Sequence, residues 1–482
     1  MKLGKITGLS SAVGGLILAA MLGQSAFAED LATPPSETPA PAAEATPEAQ
    51  KPPASIDPSQ PTGLLTLYEV STNTSPSLKA AKSASEAADY SLRDAWFGYL
   101  PRVTLSYDHQ RERQSVARTD NPVYKVGEGV FGNFDRTFQI VQPIFDARQF
   151  AQINAAYAGS HFADAQLIAA RQKNTYSIVE AYLLALAAMD DVRLSQSELK
   201  ALKGHLEEVS SRLAKGMGSR TELEDVQARA DKADADLVAA QSNLDKALVG
   251  LRRLTGQKVG LITPLSAEIQ MSPPMPADPE DWIENAHKGN AELRAADASV
   301  EQAEATLQKS YADLAPRVEL SASDDRLDSG GSLYGGGALT NQKVLEARLT
   351  IPLFNPDGQG YTAYSNTAKL RQSRYSRDDK TLEIDQKVRA AFLEIQKNAR
   401  GGTSLTNAAK HRGQYANDLH NKFTAGLVTT SDMLDAERDF FRAQREVLSS
   451  HYNYLLNMMQ LKQLTGQISD DDVVYVDSLL VK

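Results

Sequence analysis

The chain of 482 residues contains no cysteine. This absence excludes disulfide bonds, cysteine–zinc sites and a lipid anchor on an N-terminal cysteine of the mature protein. The seven histidines are scattered. They form neither an HExxH motif nor an i, i+4 pair on a helix, so no metalloenzyme motif is present. We therefore expect a protein that is not an enzyme, with no bound metal and no cofactor.

Long apolar runs are also lacking after the first residues. The start combines Lys2 and Lys5 with an apolar stretch at 9–22 and the small-residue motif "AFA" at 26–28. This pattern predicts a cleaved signal peptide over residues 1–28. No later stretch approaches the ~18 consecutive apolar residues of a transmembrane helix. Such an exported chain is expected to be soluble in the periplasm, secreted, or a β-barrel.

Positive charge is in short supply, since the formal net charge is −10. No basic stripe with interleaved aromatic residues occurs, so a nucleic-acid partner is not expected. Residues 29–61 consist mostly of Ala, Pro, Glu, Thr and Ser. Such a composition cannot bury apolar surface, and it predicts a disordered extension.

What the chain does contain is a duplicated plan. Two stretches, "LRRLTGQ" (251–257) and "LKQLTGQ" (461–467), lie 210 residues apart. Other matched pairs are "PRVTLS" (101–106) with "PRVELS" (316–321), and "KGMGSRTELEDVQ" (215–227) with "AGLVTTSDMLDAE" (425–437). We predict a first repeat over residues 62–270 and a second over 271–482, each with a helix, two strands and a long helical hairpin.

Apolar residues at 3-4 spacing predict coiled-coil packing of very long helices. Before the first turn these are Ala185, Ala188, Val192, Leu199, Leu202, Leu206, Val209 and Leu213. After it they are Val226, Ala230, Ala233, Leu237, Ala240, Leu244, Ala247, Leu251 and Leu254. If residues 147–214 are all helical, they extend ~100 Å at ~1.5 Å per residue.

Alternation of apolar and polar residues predicts the strands. Val103, Leu105 and Tyr107 alternate with polar neighbours, as do residues 318–322 and 345–353. The pattern is typical of a lipid-facing barrel strand and also of a half-buried strand in a soluble sheet. Four such segments in an exported chain favour the barrel. Four strands cannot close a barrel alone, so we expect neighbouring copies to complete it.

These motifs together resemble those of the TolC-type outer-membrane efflux protein family, in its unlipidated form. The resemblance covers residues 64–476. It is carried by the two helical turns, by "QPIFD" (142–146), by "DMLDAERDFFRAQREVLSSHYNYLLN" (432–457) and by the two LTGQ ends.

The resemblance implies a mixed α+β membrane protein. Three copies would complete a twelve-stranded barrel in outer-membrane lipid, continued by a periplasmic α-helical barrel with coiled-coil packing. Such a duct exports small molecules, drugs or a secreted protein, delivered by an inner-membrane pump and a periplasmic adaptor. The alternative function is a soluble periplasmic coiled-coil scaffold or adaptor, which would need a single hairpin with flanking β-domains.

Acidic pairs follow both turns: Glu222 with Asp225, and Asp432 with Asp435. Three-residue spacing places each pair on one helical face. One interpretation is structural, because acids in a first helical turn are stabilised by the helix dipole, and Thr221 or Ser431 would then be the N-cap. The other interpretation rests on the resemblance. It implies that Asp432 and Asp435 ring the lumen at the narrow periplasmic entrance, while Glu222 helps to keep that entrance closed.

The gate departs from the family pattern at one position. Val428 stands where the family has a basic residue, and Arg220 is the candidate substitute. Converging carboxylates in a trimer are expected to raise the pKa of some of them.

The turn tips carry Gly216 with Met217 and Gly426 with Leu427. An exposed apolar tip residue fits either adaptor docking, as the resemblance implies, or a contact within the turn.

Overall fold

The computed structural model describes residues 61–123, 126–266, 269–353 and 359–481. The predicted signal peptide lies outside the described residues, as does the predicted extension apart from residue 61. The helices and strands of the first half are α1 (Leu64–Thr74), α2 (Pro76–Phe97), β1 (Arg102–Val116), β2 (Gly127–Asp146), α3 (Ala147–Ala214) and α4 (Arg220–Thr255).

The second half presents a similar series of elements. They are α5 (Pro279–Gly289), α6 (Ala291–Ala312), β3 (Arg317–Ser329), β4 (Ala338–Thr350), α7 (Gln359–Thr424), α8 (Thr430–Leu464) and α9 (Asp470–Ser478). The 68 residues of α3 form one helix with the bounds that the sequence predicts.

The four strands form one antiparallel sheet in the order β1-β2-β3-β4. A single row of paired residues crosses all four strands, from Val103 through Ile140 and Ala322 to Leu345. Since side chains alternate between the faces of a strand, this register places most of the large apolar residues of the four strands on the same face. The next row on that face, Leu105, Phe138, Asp324 and Lys343, is half charged. A neighbouring polar row, Ser106, Thr137, Asp325 and Gln342, lies on the opposite face.

The apolar face of the sheet is not covered by the rest of the described chain. Leu105 is 70% exposed and Leu345 is 69% exposed. The strands β1 and β4 are edges that pair with no further strand among the described residues. An uncovered apolar face between two open edges requires either lipid or other copies of the chain.

The junction from sheet to helix lies at Asp146, the last residue of the motif "QPIFD". Its carboxylate accepts hydrogen bonds from the backbone N–H groups of Arg148 and Gln149, at 2.9 and 3.3 Å. Asp146 therefore caps α3 at the point where β2 ends, because its side chain satisfies N–H groups that the first helical turn leaves unpaired.

The main hydrophobic core lies midway along α3 and α7 and at the C-terminal ends of α4 and α8. Its fully buried members include Tyr182, Leu186, Val388 and Leu455, and the short helices α1, α5 and α9 pack into it. A second, smaller cluster lies near the hairpin turns and contains Leu199, Leu202, Val209, Val226, Ala230, Ala233, Phe423, Met433 and Leu434. The predicted 3-4 seam of α3 and α4 contributes six of these nine residues.

Both LTGQ motifs end a helix as the sequence predicts. Gly256 and Gly466 have φ of +69° and +70°. Only glycine adopts this left-handed conformation without steric cost, so it stops the helix and turns the chain. Within the described part of the chain, no helix combines the length and the apolar character needed to cross a membrane.

Candidate functional site

The two hairpin turns share one backbone design. After α3, the N–H groups of Gly216 and Met217 donate to the carbonyls of Leu213 and Arg212, both at 2.9 Å. After α7, the N–H groups of Gly426 and Leu427 donate to Phe423 and Lys422, again both at 2.9 Å. This pair of bonds is the Schellman motif, which satisfies the last carbonyls of a helix.

The tip residues project away from the protein. Met217 is 63% exposed and Leu427 is 74% exposed, so neither is buried by a contact within its own turn. Each hairpin therefore presents one large apolar side chain to its surroundings.

The helices after the turns begin earlier than either predicted N-cap. Ser219 caps α4 and Thr429 caps α8, so the prediction of Thr221 and Ser431 is wrong. The hydroxyl of Ser219 accepts from the N–H of Thr221 at 3.2 Å, while Glu222 accepts from the N–H of Ser219 at 3.3 Å. The earlier start lengthens each helix by two residues, Arg220 with Thr221 and Thr430 with Ser431.

The second turn has the same arrangement with an aspartate. The hydroxyl of Thr429 accepts from the N–H of Asp432 at 3.1 Å, and the Asp432 carboxylate accepts from the N–H of Thr429 at 3.3 Å. Glu222 and Asp432 thus complete capping boxes, which satisfy two otherwise unpaired N–H groups at each helix start. Within the single chain both acids are therefore capping residues, and their role at a lumen entrance stays a prediction.

Asp225 and Asp435 meet at an arginine that the sequence reasoning missed. Arg229 Nη1 donates to Asp435 Oδ1 at 2.7 Å, and Arg229 Nε lies 3.2 Å from Asp225 Oδ2. Asp435 also lies 3.2 Å from Arg438 Nη1. The guanidinium therefore joins α4 of the first hairpin to α8 of the second.

The charge of Arg229 determines the protonation of its partner. The hydrogen bond from Arg229 lowers the pKa of the Asp435 carboxyl, against the opposing effect of partial burial. Within the single chain Asp435 is therefore held ionised. The expected rise in pKa from converging carboxylates refers to an assembled ring, and it stays a prediction.

The other two predicted gate residues make different contacts. Arg220 is largely exposed and pairs with Glu224 at 3.0 Å on its own helix. Val428 packs against the hydrophobic cluster near the turns, and it links that cluster to Ala416, Leu419 and Ala436. In this chain an apolar contact therefore occupies the position of the basic residue that the resemblance implied, and Arg229 makes the charged link.

A second charged link between the hairpins lies further along α8. Arg445 donates to Asp191 at 3.0 Å, to Glu198 at 2.9 Å and to Ser195 Oγ at 3.1 Å. Ser195 lies between Val192 and Leu199, at the one position where the predicted 3-4 spacing of α3 has a polar residue. This polar residue was the one feature of the sequence that pointed to a polar contact here, the hydrogen bond from Arg445. Arg229, Arg445 and the two acids of α3 together tie α8 to the first hairpin.

Long helical hairpins that continue from a sheet with an exposed, mainly apolar face indicate a membrane-associated protein. The comparisons with known proteins agree with this class. The family described as "Outer membrane efflux protein" matches residues 67–257 and 282–467. The chain belongs to the outer membrane efflux protein family.

Named relatives span most of the chain. It is 25% identical over 417 residues to the alkaline protease secretion protein AprF of Pseudomonas aeruginosa, covering 86% of both chains. It is 23% identical over 442 residues to the outer membrane protein TolC of Escherichia coli, covering 88% of this chain and 86% of TolC. The fold is similar to that of the Campylobacter jejuni CmeC outer membrane channel. The TM-score is 0.72 at 12% identity, over 87% of this chain and 90% of CmeC.

These findings confirm the predicted family, location and general function. The protein is an outer-membrane export channel, and the alternative of a soluble periplasmic scaffold or adaptor is not favoured. The family comprises channels of efflux systems and is not a class of enzymes.

Proposed function

We propose that three copies of this chain form one export duct. The observation that carries this proposal is the four-stranded sheet with two open edges and one exposed apolar face. Edges cannot remain unpaired in hydrocarbon, so β1 of one copy would pair with β4 of the next. Three such sheets give twelve strands, whose apolar faces contact outer-membrane lipid while the long helices continue into the periplasm.

The two halves act in this duct as equivalent repeats, residues 62–270 and 271–482. Two observations support the equivalence. The family matches one segment in each half, and each half places a strand pair directly before its hairpin. Both hairpins would then lie side by side in the helical barrel, with all six turns of a trimer at its periplasmic end.

At that end the acids form the entrance. Asp432 and Asp435 of three copies would bring six carboxylates around one constriction, with Glu222 and Asp225 nearby. Such a concentration of negative charge attracts cations and excludes anions. Arg229 neutralises part of this charge and holds the hairpins together, so its release from Asp435 would both open the entrance and make it more negative.

The partners follow from the exposed tips. Met217 and Leu427, each beside the glycine that reverses the chain, offer apolar contacts to the hairpin of a periplasmic adaptor, which connects the duct to an inner-membrane pump. The cargo is a secreted protein or small molecules. A relative named for alkaline protease secretion favours the former, and one named as an outer membrane efflux protein from Brucella suis favours the latter.

Two measurements test the duct. The mass of the detergent-solubilised protein should correspond to three chains, and a monodisperse monomer that keeps its sheet would contradict the barrel. Single-channel recording should show cation selectivity and block by multivalent cations. The variant Asp432→Ala with Asp435→Ala should lose most of both.

If the two acids only stabilise the helix start, the double variant should lose ~0.3–1 kcal/mol of stability per acid and keep its ion preference. The control is Ser219→Ala with Thr429→Ala. It removes both N-cap hydroxyls at a cost of ~1 kcal/mol each and leaves every carboxylate in place. If the control keeps its ion selectivity and the double variant loses it, the carboxylates of Asp432 and Asp435 line the entrance of the duct.

A further inference from the structure

Two histidines and one glutamate converge where the hairpins meet, a few residues from the entrance acids. His205 lies on α3, His420 on α7 and Glu437 on α8. One ligand atom from each residue lies within 4.8 Å of the other two. His205 Nε2 is 2.9 Å from both carboxylate oxygens of Glu437, and the two imidazole rings are 5.6 Å apart between centroids.

A hydrogen-bonded His–Glu pair accounts for only two of the three side chains. His420 Nδ1 is buried, and it has no hydrogen-bond partner among the residues that the structure describes. A buried nitrogen without a partner is unfavourable, and a bound ion is one way to satisfy it. His420 is thus the one residue of the three that takes no part in the His205–Glu437 pair.

The surroundings of the cluster favour positive charge. Glu208 Oε2 lies 3.9 Å from the second ring nitrogen of His205. The carboxylate of Glu437 lies on the other side of the ring, 2.9 Å from Nε2. The same carboxylates would attract a metal cation. A carboxylate beside the outer nitrogen of a metal-bound imidazole is also a common feature of metal sites.

We propose that His205, His420 and Glu437 bind a divalent transition-metal cation of the zinc class. Two imidazoles and one carboxylate are a ligand set that such ions accept, with a water molecule at the fourth position. At metal–ligand distances of ~2.1 Å, tetrahedral ligand atoms lie ~3.4 Å apart. Side-chain rotations that move the ligand atoms by ~1 Å are therefore sufficient. Mg²⁺ and Ca²⁺ prefer all-oxygen ligands and are not expected here.

The bound cation would join the first hairpin to both helices of the second. Phe423, one turn after His420, already packs between the hairpins, with the Arg212 guanidinium 4.7 Å from its ring centroid. Glu437 follows Asp435 by two residues on α8. A metal at this position would hold the hairpins in the arrangement that the structure shows. The consequence for gating, though not the binding itself, depends on the proposed function.

Zinc binding by the full-length chain tests the proposal directly. After chelator treatment in detergent, isothermal titration with Zn²⁺ should give one site per chain, with no competition from excess Mg²⁺. The replacement His420→Gln should weaken binding at least ~10-fold, because even the loss of an outer-shell partner has an effect of that size. The control His411→Gln changes an exposed histidine of the same helix and should bind zinc normally. Co²⁺ should give the visible absorption of a tetrahedral site in the wild type and in the His411→Gln control, but not in His420→Gln.

Two further variants keep the result interpretable. Glu437→Gln retains a hydrogen-bonding group for His205 while removing the charge, and it should also weaken binding if far-UV circular dichroism shows a folded chain. Asp432→Asn with Asp435→Asn should leave the zinc site unchanged, which separates it from the entrance acids. Absence of saturable zinc binding in the wild type would overturn the proposal and leave an ordinary His–Glu pair. Equal binding by His420→Gln would overturn it as well, and neither result depends on channel recordings.

Discussion

Arg229 Nη1 donates to Asp435 Oδ1 at 2.7 Å, across 206 residues of sequence. The side chain of Arg229 is only 26% exposed, so solvent screens this contact less than it screens a surface ion pair. Both carboxylates that contact the guanidinium belong to the predicted set of entrance acids. Arg229 therefore links the two hairpins, and it also neutralises part of the negative charge of Asp225 and Asp435 near their turns.

Replacement of this arginine should open the entrance. We expect Arg229→Gln to increase single-channel conductance and cation selectivity, because Asp435 is released and its charge is no longer neutralised. The matched control is Arg220→Gln, which breaks only the exposed pair with Glu224. It should leave conductance unchanged and cost well under ~1 kcal/mol of stability. Equal effects of the two changes would assign the result to net charge and not to the link between hairpins.

The tips should be needed for docking and dispensable for folding. We expect Met217→Asp combined with Leu427→Asp to abolish adaptor-dependent export, since a charged tip cannot bury itself against an apolar adaptor surface. The thermal stability of the duct should stay unchanged, because both side chains are exposed. The conservative control, Met217→Leu with Leu427→Met, keeps the apolar area and should export normally. Full export by the aspartate variant would show that Met217 and Leu427 are not needed for adaptor docking.

A buried hydrogen bond also joins the two hairpins near the main core. The hydroxyl of Tyr452 donates to Asp190 Oδ2 at 2.6 Å, and both residues are almost fully buried. Tyr452→Phe leaves this buried carboxylate one donor short, so we expect a loss of ~1–3 kcal/mol in unfolding free energy. Tyr415→Phe, at an exposed site on α7, should change stability by less than ~0.5 kcal/mol. Denaturant unfolding of both variants would measure the difference.

His451 should make the fold sensitive to mild acid. Burial lowers the pKa of its imidazole below the ordinary 6.5. The unfolded chain then takes up the proton at higher pH than the folded chain does. Stability is therefore complete above pH ~6.5, falls as the pH drops through that value, and levels off below the folded pKa.

The replacement His451→Gln should remove this part of the pH dependence. Between pH 7.5 and pH 5 we expect the melting temperature of the wild type to fall further than that of the variant, because the variant lacks the buried imidazole. His161→Gln, at an exposed histidine on α3, is the control and should follow the wild type. A parallel pH profile for His451→Gln would show that the burial of His451 does not affect acid stability.

The sequence by itself determined the elements of this protein. The 3-4 spacing of apolar residues identified the long helices, and the glycines of the two LTGQ motifs marked two of their ends. Alternation in the strands separated a mainly apolar face from a mainly polar one, and the register aligns these faces across the sheet. Each of these features depends on residues within a few positions of one another, so a local pattern is sufficient to reveal it.

The contacts between elements were decided by the tertiary structure alone. Arg229 meets Asp435, and His205 meets Glu437, because two long helices are packed at a particular rotation and stagger. Each residue turns a helix by ~100°, so a shift of one position directs the side chain elsewhere. The choice of helix start was also left to the structure. Ser219 and Thr221 are both good N-caps by type, and each has a glutamate three residues later, so the local pattern does not choose between them. In the structure Ser219 caps the helix, and Glu222 accepts from its N–H.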